Sequence, residues 1–153
     1  MLLAGDVGGT NMRLALFEEE GGRLVERRRA RFPTRDFPTL HDALAGFLAG
    51  ETGIEAAAFG VAGPVRHGKA EGTNVAFSID AGEIREDLGV PAVVLNDLTA
   101  NAWGLAELSP ADFAVLNRGE AAPEGNGALI SAGTGLGEAI LFRTREGFVP
   151  MPS

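Results

Sequence analysis

Leu2-Leu3-Ala4-Gly5-Asp6-Val7-Gly8-Gly9-Thr10-Asn11-Met12-Arg13-Leu14-Ala15-Leu16-Phe17 is the stretch whose reading decides the fold. Leu2 to Val7 is apolar enough for a buried strand, Gly8 to Asn11 is tight-turn chemistry, and Met12 to Phe17 alternates as the returning strand. Beyond it, Glu18 to Gly22 reads as a polar turn and Leu24 to Phe32 as a third, more exposed strand. The basic residues from Arg23 to Arg31 alternate with Val25 and are expected on a solvated face. Thr39 and Asp42 resemble a capping box that opens a short helix through Leu48, with Gly50 past its end. Ala56 to Ala62 is a strand that ends at Gly63-Pro64, and His67 to Asn74 is turn and short strand. Ser78 is expected to cap a helix to Leu88, stopped by Gly89 and Pro91. Ala92 to Leu95 is a compact apolar strand, and Thr99 to Leu108 a helix. On that helix Trp103 keeps core spacing with Leu98, Ala102, Leu105 and Ala106. Phe113 to Leu116 is expected as a strand and 118–127 as a loop. Ala128 to Ala132 and Glu138 to Phe142 are strands around Gly133-Thr134-Gly135-Leu136-Gly137. Three meandering strands followed by alternating helix and strand predict an α/β domain with a mixed sheet.

Bulk composition narrows the function classes. The 153 residues are 45% apolar and 22% charged, an ordinary soluble globular balance. A formal net charge of −8 argues against nucleic acid or an anionic membrane as partner. It does not exclude a phosphorylated ligand, because backbone N–H groups hold phosphate without lysine. With no cysteine there is neither a disulfide nor a thiolate zinc site. The start at Met1 lacks a basic leader, and the apolar run from Ala56 to Val65 is too short and glycine-rich to span a bilayer. A cytoplasmic location is the expectation.

Three short signals carry chemistry. In Asp6-Val7-Gly8-Gly9-Thr10-Asn11 the paired glycines permit positive φ and close approach of backbone N–H groups to a phosphate. Thr10 adds a hydroxyl, and Asp6 a carboxylate able to hold magnesium, directly or through water. An ordinary Gly-Gly hairpin is the alternative. Gly133-Thr134-Gly135-Leu136-Gly137 lies between two strands, so it is neither a dinucleotide fingerprint nor a lysine-bearing phosphate loop. Two Gly-Thr hairpins in one chain could clamp phosphate from both sides. Asn96-Asp97 follows a strand directly, where ligands gather in α/β sheets. Asp97 is there either a base that accepts a hydroxyl proton or simply a helix cap. His41 and His67 are expected on the surface.

Together, Asp6–Leu16, Gly60–Val65, Thr73-Asn74 followed by Ala76–Ile79, Val94–Gly104 and Ser131–Leu141 resemble the bacterial glucokinase family, in that order and over nearly the whole chain. The resemblance implies an actin-like (ribonuclease H-like) ATPase domain with a mixed sheet, followed by the start of a second α/β domain. It places a small domain at 1–108 and the beginning of a large one at 109–153. By the same resemblance Asp6, Gly8, Gly9, Thr10 and Asn11 form the first phosphate motif, and Gly133, Thr134, Gly135 and Gly137 the second. Asn96 is the implied sugar-binding asparagine, Asp97 the catalytic base and Asn74 a residue beside the sugar. Where the family carries a tryptophan shortly after that last asparagine, this chain reads Val75-Ala76-Phe77.

The implied activity is transfer of the γ-phosphoryl of ATP to the 6-hydroxyl of glucose, with Mg2+, in glycolysis. The implied partners are glucose and ATP, with neither nucleic acid nor membrane, and the full-length form is expected to be a homodimer. The family continues past the segment matching Val149–Ser153 into a Glu-Gly-Gly-His motif that grips sugar hydroxyls. The 153 residues alone are therefore expected to be inactive. A non-catalytic sugar sensor on the same fold is the alternative, and an ATPase of the actin or chaperone kind a further one, against which Asn96-Asp97 weighs.

Overall fold

The computed structural model describes residues 1–70, 77–120, 122, 124–132 and 136–152, so Asn74, Gly133, Thr134 and Gly135 lie outside the described residues. Packing separates two units, Met1–Asp97 and Leu98–Ser153. The division expected at 108/109 concerns domains of a whole protein, whereas packing within this chain divides earlier. Its local cause is the start of the helix after the strand Ala92–Asn96, where Leu98 lies against Gly137: a Cβ added at Gly137 would sit 2.5 Å from Leu98 Cδ1.

The first unit is built on a five-stranded mixed sheet. Its strands are β1 (Leu2–Val7), β2 (Asn11–Glu20), β3 (Arg23–Pro33), β4 (Ala56–Val61) and, after three short strands, β8 (Ala92–Asn96). The order across the sheet is β3-β2-β1-β4-β8. The first three strands form an antiparallel meander, while β1, β4 and β8 run parallel. β2 runs on to Glu20 instead of stopping at Phe17, and the polar turn shrinks to Gly21-Gly22 between Glu20 and Arg23. Both glycines have positive φ, 60° and 79°. This is the two-residue hairpin geometry that matches strand twist. Among the described residues neither Gly8 nor Gly9 is a positive-φ glycine, so the first glycine pair is a different kind of turn.

The third strand of the meander is held by charge. Arg27 pairs with Glu18 at 2.7 Å and also with Glu20, Arg28 with Glu51 at 3.0 Å, and Arg29 with Glu26. The arginine-rich strand is thus exposed and ion-paired, as its alternation suggests, while Arg28, in register with buried Leu16, also lies over the Phe47 ring at 4.9 Å.

One face of the sheet is dry. Leu3, Val7, Met12, Leu14, Leu16, Ala57, Phe59, Val61, Ala92 and Val94 alternate along their strands to meet two helices. Helix α1 (Leu40–Phe47) starts where Thr39 accepts a hydrogen bond from the Asp42 N–H, and it buries Leu40, Ala43, Leu44 and Phe47. That i, i+3, i+4, i+7 stripe is the signature of a half-buried helix. Helix α2 (Ala81–Leu88) is capped by Asp80, whose carboxylate accepts from the Gly82 N–H at 2.6 Å. Ser78 is therefore not the cap, because Ile79–Asp80 forms a short strand, β7, before the helix can begin. Gly89 ends α2 in the left-handed conformation. The Arg85 guanidinium donates twice to the Ala92 carbonyl, at 3.0 and 2.8 Å, and ties α2 to β8. Between β4 and α2, β5 (Val65–Arg66), β6 (Lys69–Ala70) and β7 form a small antiparallel sheet.

Helix α3 runs Asp97–Gly104 and continues as a 3₁₀ turn, Leu105–Glu107, so it starts earlier and ends sooner than the expected 99–108. Trp103 is 49% exposed, not core, since α3 buries Thr99 and Ala102 on another side. The second unit also carries an antiparallel sheet in the order β11-β10-β9, from β9 (Gly127–Ala132), β10 (Leu136–Thr144) and β11 (Gly147–Pro152). The expected strand at Phe113–Leu116 does not form. Pro110–Asp112 is a 3₁₀ turn locked by Ser109 and Asp112, and Leu116 beyond it is 98% exposed, with no ladder formed to it among the described residues.

Candidate functional site

Because β1, β4 and β8 are parallel, their carboxyl ends share one edge of the sheet. Val7 pairs with Val61 and Val61 with Asn96, one row across three strands. The Gly8–Thr10 turn leaves this edge from β1, and the Asn96-Asp97 step leaves it from β8. Adjacent strands lie about 4.8 Å apart, so the two exits are roughly 10 Å apart, with β4 between them. This is the edge at which ligands collect in α/β sheets.

The turn itself is tightly tied. The Gly8 N–H donates to the Asn11 carbonyl at 3.0 Å. Thr34, just after β3, donates its N–H to the Thr10 carbonyl at 3.1 Å and its hydroxyl to the Gly8 carbonyl at 2.7 Å. The Asn11 side-chain oxygen accepts from Arg31 Nε at 3.1 Å. A Cβ on Gly8 would come 3.3 Å from the Asn11 carbonyl oxygen, which is tight but not prohibitive. Gly8, Gly9, Thr10 and Asn11 are thus brought together as one rigid turn supported from β3.

Asp6 lies one residue before the end of β1, opposite Arg13 on β2, and its carboxylate accepts from Arg13 Nη1 at 2.6 Å. Both side chains are more than half exposed. Among the described residues no three His, Cys, Asp or Glu side chains cluster as a metal site. A single exposed carboxylate beside a glycine turn is compatible with magnesium, which commonly takes one or two carboxylates and completes its octahedron with substrate phosphates and water.

At the other exit, Asn96 is the last residue of β8 and Asp97 the first of α3. Both are half-buried. The Asn96 amide donates to the Gly63 carbonyl at 3.0 Å, fixing the end of β8 to the loop after β4. Gly63 has φ 130°, a conformation that suits glycine. Its turn is extended toward β1 by the Ala62 N–H, which donates to the Val7 carbonyl at 3.2 Å. The Gly60–Val65 segment therefore bridges the end of β1 and the Asn96-Asp97 step.

Sequence reading missed two contributors, Thr34 and Gly63. Gly63-Pro64 offered a turn signal for the second, and nothing local marked the first. Of the remaining candidates, Asn74, Gly133, Thr134 and Gly135 fall outside the described residues. Gly137 has a packing reason of its own in the close approach of Leu98.

A family model described as Glucokinase matches residues 3–153. A glucokinase of Nostoc punctiforme is 35% identical over 157 residues, covering 100% of this chain and 46% of that protein. A glucokinase of Chromohalobacter salexigens is 34% identical, covering 99% of this chain and 48% of its own. The crystal structure of a glucokinase from an Antarctic psychrotroph superposes with a TM-score of 0.85 at 30% identity, over 99% of this chain and 49% of that one. A glucokinase of Balamuthia mandrillaris in complex with glucose matches at TM-score 0.66 and 21% identity, covering 99% and 47%, a likeness of fold alone. The chain spans about half the length of the curated relatives it matches. Its mixed α/β sheet is that of the actin-like sugar kinases. With the turn after β1, the Gly60–Val65 bridge and the Asn96-Asp97 step all inside the matched span, the chain belongs to the glucokinase family.

Proposed function

We propose that the protein, in its full-length form, is an ATP-dependent glucokinase that transfers the γ-phosphoryl group of ATP to the 6-hydroxyl of glucose, yielding glucose 6-phosphate and ADP. The observation that carries this reading is the shared sheet edge, where a phosphate-type turn and an Asn-Asp step leave parallel strands one strand apart. Asp97 accepts the proton of the sugar hydroxyl as its oxygen bonds to the γ-phosphorus, and the bond to the ADP oxygen breaks. Asn96 positions the sugar, while its amide hydrogen bond to Gly63 holds the step in place. Asn74 lies beside the sugar in this reading. Gly8, Gly9, Thr10 and Asn11 are phosphate-binding residues in this reading, as are Gly133, Thr134, Gly135 and Gly137. Asp6 would hold magnesium, directly or through water, and the ion would neutralise charge on the phosphates.

The domain assignment goes with this reading: residues 1–108 form the small domain and 109–153 open the large one. So do a glycolytic role, a cytoplasmic location, a homodimer of the full-length form, and neither nucleic acid nor membrane as partner. No helix among the described residues is long and apolar enough to cross a membrane.

Asp97→Asn in a full-length version tests the proposal. Glucose binding should stay nearly intact while kcat falls by roughly 10²-fold or more, the usual worth of a general base. Retention of more than about a tenth of the wild-type kcat would reduce Asp97 to a structural residue at the start of α3. Glucose binding without any turnover in the unmutated full-length protein would favour the sugar-sensor alternative.

A further inference from the structure

Thr34 is an unusual residue for its position. It is 1% exposed, polar, and stands at the start of a one-turn 3₁₀ segment, Thr34–Asp36. Both of its donors are spent on the same short turn. The hydroxyl reaches the Gly8 carbonyl at 2.7 Å and the backbone N–H reaches the Thr10 carbonyl at 3.1 Å. Its own carbonyl accepts the Phe37 N–H at 3.3 Å, which anchors the residue from behind. In a trans peptide the C=O and the following N–H point in opposite directions. A Gly8 carbonyl drawn toward Thr34 therefore turns the Gly9 N–H away from it, out of the packed side of the turn.

We propose that Thr34 is a positioning residue for nucleotide, its hydroxyl setting the Gly8–Gly9 peptide so that the Gly9 N–H faces the phosphates. The inference rests on the reading of the Gly8–Asn11 turn as a phosphate site. It explains why a buried threonine is used where valine would pack equally well. Valine has the same shape but leaves the Gly8 carbonyl without its donor, and the peptide is then free to rotate. Because neither glycine of the turn is locked by a left-handed φ, that hydroxyl is a principal restraint on the peptide plane.

The test is steady-state kinetics of a full-length version carrying Thr34→Val, Thr34→Ser or Gly9→Val. Thr34→Val should raise the KM for ATP roughly tenfold, as misplacement of binding groups by a fraction of an ångström can do, while the KM for glucose stays within about twofold. Thr34→Ser restores the hydroxyl and should bring the KM for ATP back to within about threefold of wild type. If Thr34→Val fails to fold, Thr34→Ala removes the same donor without a bulky methyl and carries the same expectation. A lowered Tm with an unchanged KM for ATP, or equal rises in both KM values, would make Thr34 a purely structural residue and overturn the inference. Gly9→Val separates the two levels of the argument. If it impairs ATP use and Thr34→Val does not, the role of Thr34 falls alone. If Gly9→Val leaves ATP use intact, the phosphate reading falls and takes Thr34 with it.

Discussion

Asp6 and Arg13 show how a single residue pair changes a site argument. A carboxylate at a strand end looks available to a metal, yet here it already accepts a hydrogen bond from a guanidinium at 2.6 Å. With both side chains more than half exposed, such a pair is worth little and does not preclude the magnesium role proposed for Asp6. Asp6→Ala in a full-length version should therefore shift the magnesium titration of activity to higher concentration and lower kcat, with the KM for glucose spared. An unmoved magnesium titration would assign Asp6 to pairing with Arg13 alone. His41 gives a second test at this scale. Its imidazole is raised above the ordinary histidine value by the hydrogen bond and charge of Asp87, 2.8 Å away, with a smaller push from Asp42. A raised folded-state value means that the protonated form favours folding. The contribution is fully present below the unfolded value of about 6.5 and is lost as pH rises through the folded one. An NMR titration should place His41 above that value in the wild type and closer to it in Asp87→Asn, and an identical titration in both would refute the pairing. At this scale the sequence exposed Asp6, Asn96 and Asp97 because they sit beside turns. Thr34 stayed hidden, and Gly63 showed only as a turn, because their partners, Gly8 and Asn96, lie 26 and 33 residues away.

Among the elements, β1 shows why a strand residue can be glycine without any turn. A Cβ on Gly5 would lie 2.2 Å from Cδ1 and 2.5 Å from Cε1 of Phe59, a fully buried ring on the neighbouring parallel strand. Gly5 is thus the floor on which Phe59 rests, and its role is space, not backbone freedom. Gly5→Ala should destabilise the first unit by about 1–3 kcal/mol, the usual cost of overpacking a dense core. Denaturant unfolding of Gly5→Ala beside Gly46→Ala, where an added Cβ meets nothing within 4 Å, measures the difference. Equal midpoints would mean that Phe59 has another rotamer to occupy. The strands least legible in sequence are those with broken patterns. β11 carries Pro150 and Pro152, which argue against a strand, but it is an edge strand paired only with β10, where a missing N–H is tolerated. Phe113–Leu116 has strand-like composition but pairs with no strand among the described residues, and composition without a partner makes no ladder.

For the whole molecule, the two units differ in how well they bury themselves. The first encloses its core between the mixed sheet and α1 and α2. The second leaves Ile130, Leu136, Ile140, Phe142, Phe148 and Met151 of its three-stranded sheet exposed. A sheet of that kind, with apolar side chains in water and open edges, is prone to associate. The 153-residue chain, which spans about half the length of its curated relatives, should therefore self-associate with rising concentration. It should also give no coupled glucose 6-phosphate signal under conditions where a full-length version does. Light scattering that stays monomeric, or turnover within about tenfold of the full-length version, a difference of only about 1.4 kcal/mol in barrier, would contradict this. What the sequence determined by itself is the set of local matters: the meander, the Thr39 cap of α1, the glycine turn after β1 and the Asn-Asp step. Periodicity, caps and turn chemistry act within a few residues, so they can be read in order along the chain. Only the tertiary structure decided that β1, β4 and β8 run parallel and in register, which places the turn after β1 and Asn96-Asp97 on one edge. Only it showed Thr34 and Gly63 holding the two ends of that edge, because hydrogen bonds between distant segments depend on which strands pair, and pairing leaves no mark at any single position.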